Sequence, residues 1–324
     1  MKLTKLLASS AYLLAMLLSL SLCGCADTDD RPSIVCSSAL VADWTEAVLG
    51  EDSESCELYV LGARGSDIHS YEPTVRDIAK IAQCSLLVRI GGESEDWADE
   101  VKKSARNTSM LELELTRVLE LECEEHTHSH DHKDKEILSS DTEAHAHTDE
   151  HIWFSFEHVY KSVEGIKDAL TTLKPECAQH YEQNAAVYID KIRKLEGEYK
   201  ALAESAECKS IVVCDRFPFL YLCEYMGLEY AAAYEGCSAE SEASFSVVLA
   251  LAKRIDEWQL SYVIKTESSD GAVADAVISA TKNKAAKILT LDSMQSMSAD
   301  DIGQKSYLGM LESNLEVLRI ALTK

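Results

Sequence analysis

Histidine is concentrated in one short part of this chain. Seven of its 10 histidines fall between His126 and His151, in the order His126-Thr-His128-Ser-His130-Asp-His132, then His145-Ala-His147, then His151. Strict alternation puts the first four imidazoles on one face of an extended chain. Imidazole is a borderline ligand that suits zinc, copper and nickel. The surrounding stretch, Cys123 to Glu150, is rich in His, Asp, Glu and Ser and lacks hydrophobic periodicity, which predicts a mobile loop. Such a tract binds metal weakly and releases it quickly, because every binding event must order the chain. A tight site needs ligands held on rigid elements, and two segments offer them. Asp67-Ile-His69-Ser-Tyr71-Glu72-Pro73-Thr74 stands where a strand and loop give way to a helix. Asp149-Glu150-His151-Ile-Trp153-Phe-Ser155 closes the loop and opens the next helix.

The elements that position these segments follow from hydrophobic pattern. Short β-branched runs at Ser33–Cys36, Glu57–Leu61, Ser85–Ile90 and Met110–Leu115 read as strands. Leu40–Leu49, Thr74–Ala82 and Asp96–Ala105 read as amphipathic helices between them. Strands separated by helices imply parallel βαβ units. Beyond the loop, Pro175 is well placed at a helix start, and Tyr181, Ala185, Tyr188, Ile192, Leu195 and Tyr199 recur at three- and four-residue spacing. A helix of roughly 30 residues, near 45 Å long, is expected there as a spine between two halves. The alternation then resumes, with strands at Ile211–Cys214, Tyr262–Lys265 and Lys287–Leu291. Helices are expected at Phe219–Tyr225, Ala243–Glu257, Ala272–Thr281 and Gln304–Leu322. The fold class is therefore α/β: two Rossmann-like lobes with parallel sheets joined by a long helix. The predicted boundaries are 25–174 for the first lobe, with the histidine loop at 123–150, then 175–207 for the helix and 208–324 for the second lobe.

The first residues set the expected compartment. Lys2 and Lys5 precede an apolar run from Leu6 to Leu22, which ends in Leu22-Cys23-Gly24-Cys25. This pattern reads as a lipoprotein signal, residues 1–24, with Cys25 as the acylated residue. A plain secretory signal needs no cysteine at its cut, and a membrane anchor needs about 20 apolar residues. The formal charge of −25 repels nucleic acid. Of 11 cysteines, nine remain once Cys23 and Cys25 are set aside; no Cys-x-x-Cys pair occurs, so a thiolate zinc knuckle is not indicated. Cys36, Cys84 and Cys214 sit in strand-like stretches and read as small buried hydrophobes, although disulfides form readily outside the cytoplasm.

The two histidine segments resemble the signature segments of the zinc- and manganese-binding solute-binding lipoproteins of bacterial ABC transporters, family 9 of the extracytoplasmic solute-binding proteins (cluster A-I). There they read approximately Asp-x-His-x-Tyr-Glu-Pro-Thr and Asp-Pro-His-x-Trp-x-Ser, each giving one histidine ligand, and a histidine-rich loop is typical of the zinc-selective branch. The resemblance covers essentially the whole mature chain and implies His69 and His151 as metal ligands. It implies a third ligand at a strand end before an aromatic motif. In Val213-Cys214-Asp215-Arg216-Phe217-Pro218-Phe219 the aromatic positions are Phe217 and Phe219, which puts Cys214 at the ligand position. This departs from the family's histidine or glutamate; a thiolate is a good zinc ligand, and the alternative is a buried strand cysteine with Asp215 or water in the site. Asp292, in Leu289-Thr-Leu-Asp-Ser293, matches the family's last aspartate ligand, with Glu267 in reserve. His126, His128, His130, His132, His145 and His147 would form an auxiliary metal loop.

By this resemblance the chain is an extracytoplasmic, membrane-anchored, monomeric binding protein. It would take up Zn2+, or alternatively Mn2+, between its lobes and hand the ion to the permease and ATPase subunits of an importer. Members of the family are also assigned adhesive roles, which nothing in this sequence marks. The rival classes are a zinc-dependent hydrolase and a metal-storing surface protein. The chain has no His-Glu-x-x-His helix, no Gly-x-Ser-x-Gly elbow and no phosphate-cradling glycine loop, so no catalytic residue is assigned. Imidazoles and a thiolate favour zinc, whereas carboxylate-rich sites suit manganese.

Overall fold

A computed structural model describes residues 31–62, 67–105, 107, 109–121, 149–235, 243–282, 284–298 and 305–323. The expected lipidation site, Cys25, and the loop histidines His126, His128, His130, His132, His145 and His147 lie outside the described residues.

The first sheet consists of β1 (Ser33–Cys36), β2 (Glu57–Val60), β3 (Leu86–Arg89) and β4 (Leu111–Glu114), in the order β2-β1-β3-β4 and parallel throughout. β1 and β3 are the central strands and are apolar almost without interruption, as strands covered on both faces must be. The exception, Arg89, is buried but charge-matched by Glu112 at 2.8 Å and Glu114 at 2.6 Å on the neighbouring strand. Helices α1 (Ala39–Leu49), α2 (Val75–Gln83) and α3 (Trp97–Ala105) and the single turn α4 (Leu115–Val118) connect or follow these strands.

The second sheet repeats the plan with β5 (Ser210–Phe217), β6 (Glu229–Glu235), β7 (Tyr262–Thr266) and β8 (Lys287–Leu291), ordered β6-β5-β7-β8 and again parallel. Between the sheets in sequence run α5 (Phe156–Leu173) and α6 (Ala178–Ser205); α7 (Leu220–Met226), α8 (Phe245–Trp258), α9 (Ala272–Ala280) and α10 (Tyr307–Ala321) complete the described helices. The expected spine is α6, 28 residues or about 42 Å long, preceded by a short 3-10 turn at Pro175–Cys177. Its buried stripe runs through Tyr181, Ala185, Tyr188, Ile192, Leu195, Tyr199 and Leu202, the spacing of a helix with one apolar face. Three tyrosines on that stripe also tie it to its neighbours: Tyr181 to Asp52 at 2.5 Å, Tyr188 to Asp43 at 3.0 Å and Tyr199 to the Leu311 carbonyl at 2.8 Å.

One hydrophobic cluster reaches from Ile34 and Val88 in the first sheet, through α6, to Val213, Phe217 and Leu291 in the second. Pro32–Lys324 accordingly forms one compact unit. β6 was not expected from the sequence. Its Glu-Tyr-Ala-Ala-Ala-Tyr-Glu run carries alanines that favour helix in isolation, but Tyr230 stacks on Phe217 at 4.0 Å and the alanines fill both sheet faces. β5 runs three residues further than expected, and its register with β6 shifts between Val213 and Arg216, the mark of a bulge.

Candidate metal site

Ligand sites in open α/β sheets form beyond the carboxyl ends of the strands. The residues of interest follow β2, β3, β4 and β8 in this way. His69 sits in a 3-10 turn, Ile68–Ser70, whose start is fixed by Asp67: one carboxylate oxygen accepts from the His69 backbone N–H at 3.0 Å. The other oxygen of Asp67 accepts from Arg216 at 2.9 Å, so the segment is tied to the end of β5. Further along, Thr74 and Asp77 form a reciprocal capping box at the start of α2. Asp77 also accepts from Tyr59 at 2.8 Å and Tyr71 at 2.9 Å. Burial works against its charge, but these donors hold the Asp77 carboxyl below its usual range. The tyrosine and threonine of the first signature segment therefore build the start of the helix that follows the His69 turn.

His151 is 1 % exposed and precedes a second 3-10 turn, Ile152–Phe154. Ser155 caps α5 behind it. The Trp153 ring lies edge-on to the His151 ring at 5.1 Å, and its indole N–H donates to the Ser293 carbonyl at 3.0 Å. This bond docks the segment after β8 against the histidines. Tyr307 Oη donates to the Trp153 carbonyl at 2.7 Å, which fixes the turn from the side of α10.

The structure brings His69 and His151 together. Their Nε2 atoms are 3.2 Å apart. Two imidazoles on one tetrahedral zinc, with bonds of about 2.0–2.1 Å, hold their nitrogens about 3.3 Å apart, so the spacing fits chelation. Both rings are oriented through Nδ1. Asp149 Oδ1 lies 2.5 Å from His151 Nδ1, and Glu150 Oε1 lies 2.9 Å from His69 Nδ1, which also meets Ser94 Oγ. A carboxylate beside each Nδ1 favours the tautomer that carries its proton there, which turns each Nε2 lone pair to the crevice. Although burial raises it, the Glu150 carboxyl is held down at about 2 by His69, Ser94 and His151. Ser94 donates to Glu150 through Oγ at 2.5 Å and through its backbone N–H at 3.3 Å. Room for this carboxylate comes from Gly92, at φ +92°, where an added Cβ would stand 2.5 Å from Glu150 Oε2.

Each histidine has an aspartate two residues before it, Asp67 or Asp149, an acid near enough in sequence to steady its ring. Asp149 takes that place for His151, but the partner of His69 is Glu150, which stands where the family segment has proline. Ser94 and Gln295 were also missed. Gln295 is 4 % exposed, and its side-chain nitrogen is 2.8 Å from both histidine Nε2 atoms.

The expected ligands from the second half are placed differently. Cys214 is a buried core residue, the alternative that the sequence reading kept open. Strand alternation turns Val213 into the main cluster and Cys214 into the second one, among Val212, Ala231, Leu251 and Ala274. Burial, with the nearby Asp215 charge, raises its thiol to about 12. Asp215 is bound to Thr266, accepting from its N–H at 3.2 Å and its hydroxyl at 2.6 Å. Asp292 pairs with Lys305 at 2.6 Å and caps the Met294 N–H at 2.9 Å. Glu267 accepts from the Ser293 N–H at 2.7 Å and hydroxyl at 2.8 Å. Among the described residues no group of three or more His, Cys, Asp and Glu side chains is gathered to hold an ion. The paired histidines are the assembled part of the site.

Two parallel sheets flanking a long helix, with paired imidazoles beyond the strand ends, define a two-lobed α/β protein with a candidate ion site. Comparison with known proteins gives the family. Residues 34–321 match the family described as zinc-uptake complex component A, periplasmic, and the chain belongs to it. It is 28 % identical over 298 residues to the zinc-binding protein AdcA of Streptococcus pyogenes serotype M1, covering 90 % of this chain and 56 % of that protein. The chain thus spans little more than half the length of that relative. It is 27 % identical over 254 residues to the high-affinity zinc uptake system protein ZnuA of Bacillus subtilis, covering 78 % of this chain and 77 % of the relative. Among solved structures, the periplasmic zinc-binding protein TroA of Treponema pallidum superposes with a TM-score of 0.72 at 21 % identity, over 91 % of this chain and all of that one. This last likeness shows the shared fold.

Proposed function

We propose that this chain captures a zinc ion between its two halves outside the cytoplasm and delivers it to the permease and ATPase of a metal importer. The observation that carries the reading is the histidine pair, with Nε2 atoms 3.2 Å apart and both Nδ1 atoms committed to carboxylates. The ligands from the first half are His69 and His151. Asp292 is the acidic ligand from the second half, and it exchanges Lys305 for the ion. The relatives named for zinc binding and zinc uptake support the choice of cargo. The lipobox supports anchoring through Cys25, and the reading keeps the lobes 25–174 and 208–324 about the helix at 175–207. The loop histidines serve as a weak, fast collecting tract.

Two measurements test the proposal. Metal analysis of protein purified without added metal should find zinc in preference to manganese. His69→Ala and His151→Ala should each weaken the tight zinc equivalent by orders of magnitude, read by competition with a chromogenic chelator, while circular dichroism stays unchanged. Wild-type affinity in both variants would remove the site from these residues.

A further inference from the structure

Where α5 gives way to α6, the residues on both sides of Cys177 reach to a single turn. Lys174 Nζ donates to Asp52 Oδ2 at 2.9 Å and to Ser55 Oγ at 2.5 Å, and Tyr181 Oη donates to Asp52 Oδ2 at 2.5 Å. Asp52 and Ser55 belong to the 3-10 turn Gly50–Ser55, which ends at Cys56 just before β2. The Cys177 N–H donates to the Lys174 carbonyl at 3.1 Å, so Cys177 is held between two side chains that bind that turn. On the other side, Ser55 Oγ lies 3.9 Å from Cys56 Sγ. Cys56 is buried in the main core, and Cys177, half-buried, packs against the same cluster. The two thiols stand close enough to each other, and to the Lys174 ammonium, for their charges to interact.

We propose that Cys56 and Cys177 are a disulfide-forming pair that staples the first sheet to the start of the long helix. The bridge closes residues 57–176 into one loop, which holds both His69 and His151. It stands at the amino end of β2, away from the histidines beyond the strands' carboxyl ends. The oxidant is a second disulfide, small or carried by a protein. Cys177, the more exposed thiol, attacks it as the thiolate; that S–S bond breaks, a mixed disulfide forms on Cys177, and a first thiol leaves. Cys56 then attacks Cys177 Sγ and a second thiol leaves, the protons of both cysteines passing to the two departing sulfurs. Two protein thiols lose two electrons in all, and one disulfide is reduced to two thiols. Burial pushes the Cys56 thiol up against the pull of Ser55 and Lys174, so Cys177 reacts first. Disulfides persist outside the cytoplasm, where the proposed function places the chain; the chemistry of the pair does not depend on that placement.

The test uses the full chain, purified under reductant, freed of it and incubated with oxidised glutathione. Peptide mass spectrometry without reduction should find the Cys56 peptide joined to the Cys177 peptide. The melting temperature should rise by roughly 5–10 °C and fall back with dithiothreitol. Cys177→Ser, at the more exposed position, should show neither the link nor the rise. Alkylation of both Cys56 and Cys177 after oxidation would overturn the proposal. So would Cys177 left as a mixed disulfide with glutathione, or joined to another cysteine. A Cys56–Cys177 link without a rise in melting temperature would overturn the stapling role. None of these readouts uses zinc, so failure of the histidine assignment leaves them standing.

Discussion

The carboxylates behind the histidines should set how tightly the ion is held, and Glu150 allows this to be measured. Glu150→Gln keeps the size and one acceptor oxygen but removes the charge. In the wild type the carboxylate faces His69 Nδ1 at 2.9 Å and is kept ionised by Ser94 and its neighbours. A hydrogen bond to a charged group contributes about 1.5–3 kcal/mol, whereas a neutral one contributes about 1. The substitution therefore costs His69 about 1–2 kcal/mol of support in the zinc-bound state, where the imidazole carries most positive character. At 1.4 kcal/mol per decade this is roughly a 5- to 30-fold loss of affinity, within the range usual for partners of metal-bound histidines. Asp149→Asn should do the same through His151. Because the two carboxylates are adjacent and their rings would share one ion, the loss in the double variant should depart from the product of the two factors. Chelator competition at fixed pH and ionic strength reads all three variants, with zinc stoichiometry confirming that the tight site survives. Affinity within twofold of wild type in Glu150→Gln would refute the claim that this carboxylate polarises His69.

Two further outcomes follow from groups away from the histidines. Cys214→Ala should leave zinc affinity unchanged, and cobalt-substituted wild-type protein should lack a sulfur-to-metal charge-transfer band; an intense band lost in the variant would return Cys214 to the ligand set. Asp52 accepts from Lys174 at 2.9 Å, Tyr181 at 2.5 Å and Ser55 at 2.5 Å; burial opposes its charge, but these donors hold its carboxyl below the usual range. A depressed folded pKa gives stability that is present above the unfolded value of about 3.9 and lost as pH falls below it. Asp52→Asn should cost about 1–3 kcal/mol at pH 7 in urea unfolding, and this gap should shrink by about 1 kcal/mol at pH 3; an equal gap at both pH values would count against the assignment.

The fold was legible because its signals are local. Continuous apolar runs such as Ser33–Cys36 and the tyrosine-rich stripe of α6 fix element type without knowledge of their neighbours. β6 was not legible because Ala231, Ala232 and Ala233 gain their strand character from packing against β5, α8 and the Phe217 ring, all distant in sequence. The histidine pair was legible because each histidine lies in a segment whose flanking Asp, Tyr, Thr and Ser residues have local jobs as caps. Glu150 was hidden by adjacency. It precedes His151 in the chain yet serves His69, 81 positions away, and only the folded turn shows which ring it faces. For Cys214 the sequence left two readings open, because spacing to Phe217 ignores the register shift in β5 and does not say which sheet face a strand residue meets.

The two halves of the molecule contribute to the site in different ways. His69 and His151 are held rigidly, each ring anchored by a carboxylate and each turn by a cap, so little ordering remains when an ion arrives. The second half offers side chains that already have internal partners: Gln295 bonded to the histidines and Asp292 to Lys305. On the proposed reading, zinc entering the crevice draws Asp292 from its lysine. The exchange subtracts from the gross binding energy, and the internal bond re-forms when the ion departs. A carrier must bind tightly enough to collect a scarce ion and still surrender it to a transporter. Under the proposed function, rigid donors opposite replaceable ones would meet both demands, the first half setting affinity and the second supplying contacts that compensate release.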